Sequence, residues 1–373
     1  MYQPGERCRL SLSDRKRAGS AFTHMVALLC VPFFSATAVA ASLGMVTDNE
    51  SDVFRIFDTE TELVLASFQG SEGRISGDCA LSQDESTGFA SHAGRRISVF
   101  ELTDSANGKQ VDYYGIEISN AGVDMSLSPD GRLLISTGAG HVHEPLSIID
   151  TSSKTEIAAT SPFLDHTSAE FCDDGTLLLT TTYGHSLALP FDNALYDARV
   201  SADGGIQLGG HRLSSGAQPN NASCAPGSRT GVLLDRGAGL TSFTLPGMEK
   251  ADQAELHGAT AVAAVFSKAG DRLYVRTTQT VEAFDFNPFT GAMRPDWVQR
   301  VSYSAEYFGV DQIALDPASG KLYVDGGREL LVLDPANGQQ TGAIGAGDAT
   351  GVCFAQRQRH APVSDIAVSY THL

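Results

Sequence analysis

A chain of 373 residues that is 42% hydrophobic and only 19% charged has enough apolar material for a large core and too little charge to stay disordered. Its net charge of −18 argues against nucleic acid and anionic membrane surfaces as partners, because both would be repelled. The 38 glycines, many beside Asp, Asn or Ser, fit short strands joined by tight turns.

At the N-terminus, Arg7, Arg9, Arg15, Lys16 and Arg17 precede the apolar run "MVALLCVPFFSATAVAA", in which Ala38-Val39-Ala40 is a small-x-small cleavage signal. Residues 1–40 are expected to be a signal peptide with a basic leading region, cut after Ala40, and Met25 lies nearer the expected true start. No later run approaches the roughly 20 apolar residues that a membrane span needs. The expected destination is the periplasm or the exterior, without a membrane span.

From there two signals recur together. The first is an apolar strand ending in a turn: "CALSQDES", "MSLSPDGR", "AEFCDDGT", "ASCAPGSR", "AVFSKAGD", "IALDPASG" and "VCFAQRQR". The second is an alternating strand closing on a large apolar residue and usually an Asp: "VFRIFD", "ISVFEL", "LSIIDT", "LALPFD", "LTSFTL", "VEAFDF" and "LLVLDP". The large residues are Phe57, Phe100, Ile149, Phe191, Phe243, Phe284 and Leu333, spaced by 43, 49, 42, 52, 41 and 49 residues. That is the period of a four-stranded propeller blade. A single four-stranded meander exposes two apolar faces, and only radial stacking covers both. The segment from Leu43 to Phe68 supplies three strands and lacks an innermost one, whereas "GVCFAQRQ" is an inner strand without a blade. The expected fold is all-β: a seven-bladed β-propeller over residues 41–357, each blade four antiparallel strands, the ring closed by strands from both termini. Residues 358–373, ending in "SDIAVSYTHL", fit no strand and are expected to be a disordered or artefactual tail.

The copies running from Ser128 to Thr155, with "RLYVRTTQTVEAFDF" and "KLYVDGGRELLVLDPANGQQTGAI", resemble the bacterial YVTN-type β-propeller repeat of the lactonase-like and WD40-like superfamily. The resemblance covers nearly all of the chain after residue 40. Its motifs are structural, so it implies architecture and leaves activity to whatever site the loops carry.

In such a ring the loops between second and third strands and those between blades share one face. The repeat sends His92, His141, His143, Glu144 and His185 to the first kind of loop, and His166 (beside Asp165) and His257 to the second. Arg95, Arg96, Arg236, Arg276 and Arg328 map to the same face, where guanidinium groups pair with a carboxylate or phosphate ligand or with neighbouring acids. Asp78, Asp124, Asn221 and Gln312 fall near the starts of inner strands, at the mouth of the channel. Polar groups there bind a cation or hold ordered water. No metal centre is expected; His141 and His143, with Glu144, are the residues that would hold zinc or copper.

Four cysteines remain after the leader: Cys79, Cys172, Cys224 and Cys353. Three pairings are open to them, as is the alternative of buried thiols. Blade placement puts Cys79 beside Cys353 and Cys172 beside Cys224, on inner strands of adjacent blades.

No GxSxG elbow, P-loop, HExxH or haem CxxCH occurs, and no cofactor is expected. The leading expectation is a monomeric, exported, non-catalytic propeller that binds a protein, peptide or small-molecule ligand through its loop face and channel mouth. One alternative is a lactonase-like hydrolase. "VEAFDFNPFTGAM" resembles a strand pair of those propellers, which implies an acid/base among His143, Glu144 and Arg276. The other is a periplasmic metal carrier using the loop histidines.

Overall fold

A computed structural model of the chain describes residues 43–48, 53–69, 75–92, 94–105, 108–138, 144–160, 168–181, 193–215, 218–237, 239–302, 311–347 and 349–355. These residues form seven four-stranded antiparallel sheets and no helix. Blade one is Ala349–Phe354, Leu43–Asp48, Val53–Asp58 and Val64–Gln69, from the axis outward. Blade two is Ile75–Leu81, Thr87–His92, Arg96–Ser105 and Gly108–Glu117, and blade three is Asp124–Leu127, Leu133–Thr137, Leu146–Asp150 and Thr155–Thr160. Blade four is Ser168–Phe171, Leu177–Thr181, Ala194–Val200 and Ile206–Ser214, and blade five is Pro219–Cys224, Thr230–Asp235, Gly239–Thr244 and Glu249–Glu255. Blade six is Ala261–Phe266, Arg272–Thr277, Thr280–Phe286 and Met293–Arg300, and blade seven is Ile313–Leu315, Leu322–Asp325, Leu330–Leu333 and Gln340–Ile344.

Ring closure follows the expected scheme. Met45 pairs with Cys353 on one side and Ile56 on the other, so the chain's two ends share blade one. Closure gives Leu43–Asp48 a partner on the side that would otherwise be an open edge.

The energetics lie between the blades. Buried apolar side chains form seven clusters, one at each blade interface. At the interface of blades one and two, Met45, Phe54 and Ile56 meet Leu81, Ala90 and Phe100. At that of blades five and six, Val232, Leu234 and Leu240 meet Phe266, Leu273 and Phe284. Each sheet thus loses water from both faces, at about 25 cal/mol per Å² of apolar surface.

The turns are held by the residues that mark them in sequence. Asp150 accepts the backbone amides of Ser152 (3.0 Å) and Ser153 (2.8 Å), and these bonds, the Ser152 hydroxyl foremost, pull its carboxyl down to about 2. Asp58 does the same for Glu60 and Thr61. In blade three's first hairpin Gly131 has φ 70°, a conformation that costs other residues strain.

Blade four departs from the repeat. Its third strand is not "LALPFD", which lies outside the described residues, but Ala194–Val200. Ala198 pairs with Leu177 at the place that Ile149 and Phe243 hold in the flanking blades. A small residue where the repeat has a large one is what hid the strand. Its neighbour Asp197, on the opposite side of the strand, is buried and accepts the His211 amide (3.1 Å), with His211 Nδ1 at 3.3 Å. A Cβ at Gly209 would collide with the same carboxylate, so glycine makes room for it.

Both cysteine pairs are bonded, Cys79 to Cys353 and Cys172 to Cys224, with Cα separations of 5.8 and 5.4 Å. The first links the inner strands of blades one and two, and the second joins blade four to blade five at inner-strand level.

Candidate functional site at the axial end of the inner strands

The repeat aligns Gly351, Asp78, Asp124, Ser168, Asn221, Ala263 and Gln312 as one ring of positions near the starts of the inner strands. Where this position is an acid, it staples its blade to the next. Asp78 Oδ2 accepts the Met125 amide at 3.0 Å, and Asp124 Oδ2 accepts the Ala169 amide at 2.7 Å. One pleat further along, Ser126 accepts the Phe171 amide (2.9 Å) and donates to Glu170 Oε2 (3.1 Å). Ser168 donates to Asn221 Oδ1 at 3.4 Å, carrying the chain of contacts into blade five.

Asp311 enters from the connector before blade seven. Its Oδ1 accepts from Asn221 Nδ2 at 3.4 Å, two blades away, so this carboxylate reaches across the axial opening. Burial raises its pKa to about 7. Asp78, Asp124 and Glu170 are pushed well up too, first by burial and next by the Asp311 charge; Asp124 adds to the effect on Asp78 and Glu170. Asp78 is fully buried, and its Oδ1 has no donor among the described residues. The leading charges acting on Asp78, Asp124 and Glu170 are those of other acids. Like-charged carboxylates held together in low dielectric retain protons or recruit donors.

The other sequence candidates are placed differently. His92 is not in a loop: it closes the second strand of blade two, buried, with Nε2 bonded to Ser98. Arg276 is not a mouth residue either. It lies in the strand Arg272–Thr277 with 0% exposure and donates to the carbonyls of Thr277, Thr280 (3.4 Å), Ser302 (3.1 Å) and Asp325 (3.1 Å). Burial lowers its pKa to about 10, so it remains charged at neutral pH, tying blade six to blade seven. An alternating strand needs an occupant at that register, and the sequence pattern does not reveal that the pocket is made of carbonyl oxygens.

Glu144 accepts the Ala121 amide (3.2 Å) and faces Arg95 Nη2 at 3.9 Å, clamping the connector into blade three. Arg96 meets Glu117 at 3.4 Å on the surface. Arg236 donates to Gln218 Oε1 (3.3 Å), and Arg328 is exposed in the turn after Asp325. His141, His143, Asp165, His166 and His185 lie outside the described residues. Among the described residues no group of three or more His, Cys, Asp or Glu side chains is arranged to hold a metal ion.

Two members of the axial set, Glu170 and Asp311, escape the sequence reading. Glu170 sits two residues past the ring position, hence on the same side of its strand. Asp311 directly precedes Gln312. Each carries a signal only once the axial level is known.

No protein-family model matches the chain, and no curated protein matches it. Solved structures do. A functionally unknown protein from Desulfotomaculum acetoxidans superposes with TM-score 0.72 at 19% identity, over 84% of this chain and 99% of that one. The periplasmic gluconolactonase of Pseudomonas aeruginosa gives 0.66 at 16% identity, again over 84% and 99%. A putative 6-phosphogluconolactonase from Bacteroides fragilis gives 0.63 at 12%, over 85% and 99%. The likeness is one of fold: a seven-bladed β-propeller whose structural neighbours include proteins of the gluconolactonase type.

Proposed function

We propose that the protein is an exported, non-catalytic propeller that binds a small, hydroxyl-rich ligand at the axial end of its inner strands. The observation that carries this reading is the set Asp78, Asp124, Glu170 and Asp311: acceptor-rich, buried, raising one another's pKa, and with an oxygen of Asp78 that lacks a donor among the described residues. Carboxylates and the amides of Asn221 and Gln312 are the groups that recognise sugar-type hydroxyls, each hydroxyl supplying the donor that an acid needs. The export signal at residues 1–40 supports a periplasmic or secreted location, as does the periplasmic gluconolactonase among the neighbours. Titration calorimetry with D-glucono-1,5-lactone and D-glucose tests the reading. Saturable heat that Asp124→Asn and Asp311→Asn weaken at least tenfold is expected; no heat with either compound, or binding indifferent to both substitutions, overturns it.

A second reading, hydrolysis of a lactone, has its own support. A carboxyl whose pKa lies at about 7, as for Asp311, exchanges protons at working pH, and the structural neighbours include a gluconolactonase and a putative 6-phosphogluconolactonase. Turnover of D-glucono-1,5-lactone above the uncatalysed rate, lost in Asp311→Asn, is the result expected of a hydrolase; absence of turnover leaves binding alone.

A further inference from the structure

The mouth of a propeller needs more than acids to do hydrolytic chemistry; it needs a base whose lone pair is free. One arrangement on the loop face has that form. His257 stands in the connector between Glu249–Glu255 and the inner strand Ala261–Phe266, on the face where Asp124 and Asp311 lie. Its side chain is 66% exposed, while the Glu282 side chain beneath it is 1% exposed.

The two oxygens of Glu282 are divided between two tasks. Oε1 accepts the amides of His257 (2.7 Å) and Gly258 (3.1 Å) and the hydroxyl of Thr280 (2.8 Å), which pins the connector to the strand Thr280–Phe286. Oε2 takes the ring Nδ1 of His257 at 3.1 Å. The packing that brings them together is tight. A Cβ at Gly258 would collide with the Thr277 side chain, and Thr277 is bonded to Thr280 through their hydroxyls at 2.7 Å.

A carboxylate can only accept, so it selects the neutral imidazole tautomer with hydrogen on Nδ1. The lone pair is then on Nε2, on a ring that is two-thirds exposed at the loop face. This is the orienting logic of a buried acid behind a catalytic imidazole. Asp197 holds His211 by the same two contacts, but there the acid is less deeply buried (11% against 1%) and the ring less exposed (46% against 66%).

We propose that His257, held by Glu282, is the general base of the loop face, acting on an ester or lactone carbonyl presented above the third strand of blade six. The inference rests on the hydrolase reading. Nε2 removes a proton from water as the water oxygen bonds to the carbonyl carbon. When the tetrahedral intermediate collapses, the ring carbon–oxygen bond breaks and the imidazolium returns its proton to the departing alkoxide. One water is consumed, and a hydroxy acid leaves.

The experiment has two arms. Nitrogen-resolved NMR of the histidine rings reads the tautomer directly. The wild type is expected to carry its proton on Nδ1 of His257. Glu282→Gln keeps an oxygen for the connector amides but turns an amide N–H toward Nδ1, and is expected to move the proton to Nε2. The second arm follows hydrolysis of D-glucono-1,5-lactone by wild type, His257→Ala and Glu282→Gln, each checked for unchanged circular dichroism. His257→Ala is expected to lower kcat about 100-fold with KM held within about threefold, and Glu282→Gln to lower it comparably. A wild type that hydrolyses while His257→Ala does so equally fast overturns this inference and leaves the hydrolase reading standing. A wild type without turnover overturns both. An Nε2-protonated His257 in the wild type overturns the inference whatever the rates.

Discussion

The two halves of the inner ring solve one problem with opposite chemistry. From blade two to blade four the blades are stapled by carboxylates and hydroxyls accepting backbone amides: Asp78 to Met125, Asp124 to Ala169, Ser126 to Phe171. From blade five to blade seven the staples donate to carbonyls. Asn220 reaches Ala261 (2.9 Å) and Val262 (3.2 Å), and Arg276 reaches Asp325. In the donor half, amide and guanidinium groups are spent on main-chain carbonyls. The acceptor half carries like charges that oppose one another, and Asp311 adds a further charge from across the axis. The two disulfides stand at the borders of the acidic half, between blades one and two and between blades four and five. Covalent bonds therefore flank the interfaces where electrostatics favours separation, whereas blades five to seven rely on apolar packing and hydrogen bonds. A self-repelling arc at the mouth carries a demand for donors, whereas the other arc directs its own donors to carbonyls.

The donor half breaks hardest at one residue. Arg276→Met leaves carbonyls of two blades buried without a donor, and a loss on the order of 4 kcal/mol is expected from equilibrium denaturation. A loss below about 1 kcal/mol would mean that water replaces the guanidinium and that the donor half is less dependent on it than the geometry implies.

The borders come next. Replacing each cysteine pair by serine is expected to cost about 2–4 kcal/mol. The Cys79–Cys353 bond spans 274 residues and Cys172–Cys224 spans 52, so the loop-entropy difference makes the first costlier by about 1.5 kcal/mol. Thermal unfolding of the two double variants compares them, and equal costs would remove the entropic part of the comparison.

The acidic half is sharpened by pH. Asp311 moves from an ordinary value of 3.8 to about 7 in the folded chain, and Asp78, Asp124 and Glu170 are raised as well. The folded state binds these protons more tightly than the unfolded state. For Asp311 the stabilisation is fully present below pH 3.8 and is lost as pH rises through about 7; the other three act in the same direction. The turn aspartates work oppositely: Asp150, lowered to about 2, contributes stability that is lost as pH falls toward that value. The Tm is therefore expected to be higher at pH 5 than at pH 8. Asp311→Asn should raise the pH 8 value and narrow the gap, and a Tm that rises from pH 5 to pH 8 would contradict the electrostatic account.

The smallest effect is expected far from the axis. Asp150→Ala removes the acceptor for two amides in an exposed turn and should cost about 1 kcal/mol by denaturant titration. A cost rivalling that of Arg276→Met would show that the turns, not the inner ring, limit stability.

Much of this was legible beforehand, and the exceptions share a cause. The blade period, closure through residues 352–355, and the axial placement of Asp78 and Asp124 all follow from repeating apolar spacing. The third strand of blade four was hidden because Ala198 stands where the other blades carry a large apolar residue, beside an acid, Asp197, that finds its partner in His211 of the next strand. Arg276 and His92 read as loop residues because polar side chains usually are. Each is buried in a strand among partners brought from other segments, Ser98 for one and carbonyls of blade seven for the other. Asp311 shows no pattern in its own segment; its importance comes from three inner strands it meets only in the closed ring.

What the sequence determined alone is whatever repeats. Each blade must bury two apolar faces, so strand order, turn residues and blade number are written locally seven times. What the tertiary structure decided is whatever occurs once: which acids share the axis, which arginine is sealed among carbonyls, and which histidine rests on a buried glutamate. Those relations join residues from different segments, and Coulombic and hydrogen-bond energies depend on separations that only the closed ring sets.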